Sequence, residues 1–217
     1  MRRHFSVIFI LLFYSTQYAI GQEINTDCYT ANEIALKKVS FSRFSDIRLK
    51  NILKPFFMLS DTDYSQLYFI DYKPKLINDS VAYFKIDDGL AKGYEVRLES
   101  KKFDPNNHKF TKSTDGEICL IDNKVFWGTD GDMPTDKVSK LDVKLNKQAI
   151  FVPLSEFNDL YNPSFLYGPD VVHVEAKMDK KGEYFIIVLF GSDGAGSYSS
   201  VWIFENGKYF GRAVESL

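Results

Sequence analysis

Residues 172–210 carry the pattern that most restricts how this chain can fold. Apolar and polar residues alternate over residues 172–178, which is the period of a strand with one buried face. Residues 184–190 form a continuous apolar run, and residues 201–204 form another. Asn206-Gly207 then predicts a type I′ hairpin turn. The pattern predicts a four-strand antiparallel meander at the end of the chain.

Two helical signals precede the strands. Thr30 and Glu33 have the spacing of a capping box, which predicts a short helix. After Ser45, apolar residues recur at helical spacing, and Pro55 predicts that this second helix ends or kinks there. The members of this stripe are Leu49, Ile52, Leu53, Phe56 and Phe57. The expected fold class is therefore α+β, with short N-terminal helices followed by a mainly antiparallel β-sheet or sandwich.

The remaining chain favours one domain over residues 22–217. From residue 66 onward the apolar period is mostly two, and turn residues separate the runs. Residues 103–116 contain few core residues and are the one candidate for an internal boundary. A short helix is predicted over residues 155–161, with Ser155 as its N-cap and Asn162-Pro163 as its stop.

The first 21 residues have the three parts of a secretory signal peptide. Arg2 and Arg3 precede the apolar run 5–13, and Ala19-Ile20-Gly21 places small residues before a cut at Gln22. The alternative is a membrane anchor, but the run is about half the roughly 20 residues that a span needs. The residue directly after the cut is Gln22 and not a cysteine, which argues against a lipoprotein. We expect a secreted or periplasmic protein with no integral membrane segment after cleavage.

The charge balance argues against nucleic acid as a partner. The chain has 27 basic and 29 acidic residues, and removal of Arg2 and Arg3 leaves 25 basic residues and a net charge of −4. A nucleic-acid binder usually carries a basic excess.

A glycine-rich loop spans residues 191–197 and contains Asp193. Such loops hold phosphate when they lead from a strand into a helix. Here a strand pattern follows, and the lysine of a P-loop is missing, as is the G-x-S-x-G pattern of a nucleophile elbow. These observations favour a hairpin loop over a phosphate site.

Clustered carboxylates at Asp130 and Asp132 define a second candidate loop, with Asp136 close behind. Carboxylates beside glycine can bind Ca²⁺, but the order of an EF-hand loop is not met, and an ordinary turn uses the same residues. His108 and His173 lack the spacing of a zinc hydrolase. The sequence therefore predicts no metal site, no cofactor and no catalytic residue.

Aromatic residues are abundant, with 19 Phe, 13 Tyr and 2 Trp. Tyr and Trp are enriched at binding surfaces, although aromatic residues also fill β cores. Those in or near the second-half loops and strands are Tyr161, Tyr167, Tyr198, Trp202 and Tyr209.

The segment from Gly191 to Tyr198, before a strand with Trp202, loosely resembles uncharacterised exported bacterial proteins, some of which look like toxin-neutralising immunity proteins. The resemblance covers the last third of the chain. It implies a periplasmic inhibitor that folds beforehand and occludes a secreted toxin.

The expected function is thus that of an exported, non-enzymatic binding protein, whose partner is a protein or a cell-envelope component. The candidate binding residues are Asp130, Asp132, Asp193, Tyr198 and Trp202. The alternative is a secreted hydrolase or glycan-binding module that uses the clustered aspartates, which requires their loops to converge on one pocket.

Cys28 and Cys119 are the two cysteines of the chain, and in an oxidising compartment they can form one disulfide. A loop of about 90 residues would add roughly 4 kcal/mol of stability on the chain-entropy account. The alternative is two separate buried thiols. If the bridge forms, alkylation leaves the mass of the non-reduced protein unchanged and adds two adducts after reduction. Free thiols in the non-reduced sample would contradict the bridge.

Overall fold

The structure, a computed structural model, describes residues 44–56, 68–129, 131–167, 171–192, 194 and 196–216. These residues form fourteen β-strands and a single α-helix, α1 (Ile47–Leu53), so the fold is essentially all-β and the α+β prediction is wrong. The helix predicted after Ser45 is present but has only seven residues. The helix predicted at Thr30 and the signal peptide lie outside the described residues.

Two five-stranded antiparallel sheets make up most of the fold. In spatial order, sheet A contains β1 (Phe69–Tyr72), β11 (Val174–Asp179), β12 (Tyr184–Gly191), β13 (Tyr198–Glu205) and β14 (Lys208–Ser216). Sheet B contains β2 (Leu76–Asn78), β3 (Val81–Lys85), β4 (Tyr94–Lys102), β7 (Asp136–Leu145) and β8 (Gln148–Ile150). Strands β11 to β14 are neighbours in chain order, so the predicted C-terminal meander is confirmed.

Two short ribbons and three 3₁₀ turns complete the described elements. The ribbons are β5 (Phe110–Lys112) with β6 (Ile118–Ile121), and β9 (Leu166–Tyr167) with β10 (Val171–Val172). The 3₁₀ turns are Lys54–Phe56, Pro105–Asn107 and Leu154–Glu156. Among the residues described, no helix is long and apolar enough to cross a membrane.

Sheet A is buried on both faces, which explains the continuous apolar run of β12. The odd-numbered side chains of β12 join the core shared with sheet B, where the ring of Tyr94 stacks on Phe185 with centroids 4.0 Å apart. The even-numbered side chains lie in a second core with Leu49 and Leu53 of α1, both fully buried. A strand covered on both faces needs apolar residues at every position rather than at alternate ones.

The short helix α1 is fixed at its start and tied to sheet A. The side chain of Asp46 caps it by accepting hydrogen bonds from the backbone N–H of Arg48 at 2.7 Å and of Leu49 at 3.2 Å. The Arg48 guanidinium lies 2.9 Å from the buried carboxylate of Asp179, at the end of β11. Pro55 lies in the 3₁₀ turn that follows, so the helix ends where the sequence predicts.

The ribbon of β5 and β6 leaves sheet B between β4 and β7 and has a small core of its own. Phe103, Ile118, Ile121 and Tyr161 form this cluster. The segment 103–116, predicted to be a long connection with few core residues, thus contains the buried Phe103 and the whole of β5.

Substituting one buried and one exposed side chain of α1 with alanine tests whether this helix covers a face of sheet A. Leu53→Ala should lower the free energy of unfolding by about 2–5 kcal/mol, since it opens a cavity in the second core. Ile47→Ala, in the same helix but 71% exposed, should change it by no more than about 0.5 kcal/mol. Urea denaturation measures both values. Equal effects of the two substitutions would show that α1 does not cover the sheet.

Candidate functional site

A cleft of about 280 Å³ lies where the β5–β6 ribbon, strand β7 and the segment 154–161 meet. We call it the lysine cleft because Lys101, Lys124 and Lys137 line it, together with His108 and Tyr161. Each of these residues comes from a different part of the chain, so the cleft depends on how the ribbon folds back over β7.

His108 is held in a fixed orientation at the cleft. Its Nδ1 lies 2.6 Å from Oδ2 of Asp122, and its ring stacks on Phe103 with centroids 4.7 Å apart. The other carboxylate oxygen of Asp122 accepts a hydrogen bond from the Lys109 N–H at 2.9 Å. This N–H and the His108 hydrogen bond lower the pKa of Asp122, which favours its ionised form.

This His–Asp pair resembles two members of a catalytic triad without its nucleophile. Ser139 also lines the cleft, but its hydroxyl donates a hydrogen bond to the carbonyl oxygen of Glu99 at 3.2 Å. The arrangement can hold a ligand through hydrogen bonds and charge.

The lysines of the cleft have no close counter-charge. Among the residues that the structure describes, no carboxylate oxygen lies within 4.0 Å of the amino group of Lys101, Lys124 or Lys137. Lys137 is half-buried, with its Nζ 5.8 Å from the centre of the Phe103 ring. Burial, followed by repulsion from Lys101, lowers the pKa of Lys137. The cleft is therefore short of negative charge.

The segment 154–161, which forms one wall of the cleft, is anchored by the buried guanidinium of Arg212. Both terminal nitrogens of Arg212 donate to the carboxylate of Asp159, at 2.6 and 2.8 Å, and one also donates to the Glu156 carbonyl at 3.0 Å. Trp202 Nε1 donates to the same carbonyl at 2.7 Å. Although burial alone would lower the pKa of Arg212, the hydrogen bonds and charge of Asp159 outweigh it, and the pKa is raised.

These bonds explain why the predicted helix at 155–161 is wrong. In an α-helix the Glu156 carbonyl would accept from the N–H of Leu160. Here that carbonyl accepts from Trp202 and Arg212, and the Leu160 N–H bonds to the Phe157 carbonyl instead. The segment forms only the 3₁₀ turn Leu154–Glu156.

The two predicted aromatic binding residues belong to the core. Tyr198 and Trp202 are fully buried, so neither is exposed to a partner in this structure. The Tyr198 hydroxyl donates to the carbonyl of Tyr161 at 3.2 Å, and burial raises the pKa of Tyr198. Of the other predicted aromatic residues, Tyr161 is buried and Tyr209 is half-buried.

Glycines of both candidate loops make room for the Tyr198 ring. A Cβ on Gly191 would lie 2.1 Å from this ring, and one on Gly128 would lie 3.0 Å from it and 2.0 Å from the Tyr161 carbonyl oxygen. Gly128 also has a φ of +104°, which side chains rarely adopt. The loop after Gly191 leads directly into β13, so it lacks the helix that a phosphate-binding loop requires.

Asn162 joins the bases of the two candidate loops. Its Nδ2 donates to the Gly128 carbonyl at 2.8 Å, and its backbone carbonyl accepts from the Ser192 N–H at 2.9 Å. Its Oδ1 accepts from the backbone N–H groups of Thr135 at 2.9 Å and Asp136 at 3.3 Å. Asn162 has a φ of +44°, which asparagine tolerates better than most residues.

Of the predicted carboxylate residues, Asp132 is exposed, and Asp130 and Asp193 lie outside the described residues. The structure therefore shows that the bases of the two loops lie together, but of the three predicted aspartates it describes only Asp132. Within the described ranges, no group of three or more His, Cys, Asp or Glu side chains is placed to hold a metal ion.

Cys119 is half-buried on β6 and is disulfide-bonded. The other cysteine of the chain, Cys28, lies outside the described residues, so the Cys28–Cys119 pairing stays a prediction.

Comparison with known proteins finds no matching family model, no matching curated protein and no matching solved structure.

Sequence reasoning missed the lysine cleft and its anchor. Asp122 and Asn123 form a turn after β6, and both have positive φ angles. No local pattern relates this turn to His108, or Arg212 to Asp159. The members of each pair lie in different parts of the chain, and only the tertiary fold brings them together.

The Asp159–Arg212 pair should contribute strongly to stability. Asp159→Asn leaves the guanidinium, whose side chain is 3% exposed, without its main counter-charge, which should cost about 3–5 kcal/mol in urea denaturation. Asp142→Asn removes an exposed carboxylate from Lys140 and should have little effect, because solvent screens that pair. Similar losses in both variants would contradict the anchoring role.

Proposed function

We propose that the protein is an exported, non-enzymatic binding protein, and that its partner docks on the loop between β8 and the 3₁₀ turn. The observation that carries this proposal is that Phe151, in this loop, is 80% exposed and that Leu154, the first residue of the turn, is 62% exposed. Exposed apolar side chains that occur together mark interaction sites more often than scattered ones do. The proposed partner is a protein or another component of the cell envelope.

The anchoring of this loop supports the proposal. Between the two exposed residues, Val152 is buried in the core between the sheets. Directly after them, Glu156 is bound by Trp202 and by Arg212. A loop that is already ordered loses little conformational entropy when a partner covers it, so more of the contact energy is available for affinity.

Two depressions flank the exposed residues. Phe151 and Pro153 line a groove with Ile150 and Tyr209, and Leu154 borders the lysine cleft on the other side. An apolar projection beside a groove offers a partner both a residue to enclose and a pocket to fill.

The narrower form of the proposal is an immunity-like periplasmic inhibitor that folds beforehand and occludes a secreted toxin. The ordered loop favours this form, because such an inhibitor must present its contact surface without first rearranging.

The second candidate is a secreted hydrolase or glycan-binding module that uses Asp130, Asp132 and Asp193. The observation in its favour is the bonding of Asn162 to the bases of both loops, at Gly128 and at Ser192.

Capture from the envelope fraction of the source cell tests the first proposal. The double variant Phe151→Ala, Leu154→Ala should recover a specific partner at least about tenfold less well than the unchanged protein, since exposed aromatic anchors dominate binding energy. Recovery is measured by quantitative mass spectrometry.

The matched control is Leu76→Ala, Leu90→Ala, which truncates two half-exposed leucines elsewhere and should leave recovery unchanged. Equal recovery by the two double variants would overturn the docking site. Recovery of glycan that depends on Asp132, as tested with Asp132→Asn, would favour the second candidate.

A further inference from the structure

The lysine cleft holds more positive than negative charge. Each of its two carboxylates is already engaged: Asp159 binds Arg212, and Asp122 binds His108 and the Lys109 N–H. The three ammonium groups that line the cleft have no carboxylate within ion-pair distance among the described residues. The lining thus carries three ammonium groups against two carboxylates, and Asp122 acts on Lys124 and Lys137 only from beyond ion-pair distance.

The excess of positive charge favours an anionic ligand over a neutral one. Burial and repulsion from Lys101 lower the pKa of Lys137, while the charge of Asp122 opposes them. An anion bound beside Lys137 would add to the favourable charge of Asp122 and stabilise the ammonium form. Lysines serve well in this role because each brings a mobile point charge with three donors.

His108 adds a directed donor to the same cavity. Because Asp122 occupies Nδ1, Nε2 is the ring nitrogen that remains for a ligand. In the protonated ring Nε2 donates a hydrogen bond, and stacking on Phe103 fixes its direction.

The rest of the cavity favours an apolar body attached to the anion. Ile121, Phe126 and Val138 also line the cleft. A volume of about 280 Å³ is several times the roughly 30 Å³ that one water molecule takes in the liquid, so the cleft is larger than a bare oxyanion needs. The apolar side chains offer contact to the remainder of such a ligand.

We propose that the lysine cleft is a binding site for a small phosphate or sulfate monoester, with the oxyanion held by Lys101, Lys124, Lys137 and His108 and the organic group against Phe126. This site is separate from the docking of the partner proposed above on Phe151 and Leu154, although Leu154 also borders the cleft.

Titration calorimetry with phenyl phosphate and phenyl sulfate tests the proposal on the full exported chain at fixed ionic strength. We expect saturable binding of at least one ester, weaker binding of inorganic phosphate, and none of phenol. Lys137→Met, which keeps an unbranched four-atom stem and removes the ammonium group, should weaken binding about tenfold, as expected for the loss of one charged hydrogen-bond donor. Lys144→Met removes an exposed lysine from the same strand outside the cleft and should leave the affinity unchanged.

The absence of saturable binding of both esters at millimolar concentration would overturn the site. So would equal losses from Lys137→Met and Lys144→Met, or binding of phenol as tight as that of the esters. If Lys137→Met does not fold, as judged by its urea transition, Lys101→Met at the exposed end of β4 replaces it, with the same expected loss. Phe151→Ala should leave ester binding unchanged, which separates this test from that of the protein partner.

Discussion

The guanidinium of Arg212 is a full positive charge at the edge of an apolar core, and the segment 154–161 is held in place around it. A buried charge requires counter-charge and hydrogen bonds from the protein itself. Asp159 and the Glu156 carbonyl supply both, and Trp202 binds the same carbonyl. The anchored segment contributes to both proposed sites. Leu154, at its start, is exposed on the proposed docking surface, and Tyr161, at its end, borders the lysine cleft.

Sheet A forms the middle of the molecule, which places the candidate sites at its periphery. Among the described residues, the central strands of sheet A pack with one face on sheet B and with the other on α1. Several residues of the candidate sites lie on connections: His108 and Asp122 flank the β5–β6 ribbon, and Phe151 lies in the loop after β8. Lys101 and Lys137 lie on β4 and β7 of sheet B. Connections tolerate polar and exposed residues because a rigid scaffold positions them.

The sequence predicted the strands of the meander better than it predicted the fold class. Asn206-Gly207 and the apolar run of β12 are local signals, and both correspond to observed elements. The stripe beginning at Leu49 is also real, but Pro55 limits it to seven helical residues, too few to make the fold α+β. Tyr198 and Trp202 resemble binding residues in composition, yet cross-strand packing buries them, and a sequence pattern does not distinguish these outcomes.

By itself, the sequence determined the period-two strands, the hairpin order at the C-terminus and the end of the first described helix. Each of these follows from backbone preferences and alternation over a few neighbouring residues. Only the tertiary structure decided which charges meet. The contacts of Asp159 with Arg212 and of Asn162 with Gly128 and Ser192 join residues tens of positions apart. Such contacts depend on how the sheets stack and are connected, so they cannot be predicted from local sequence patterns.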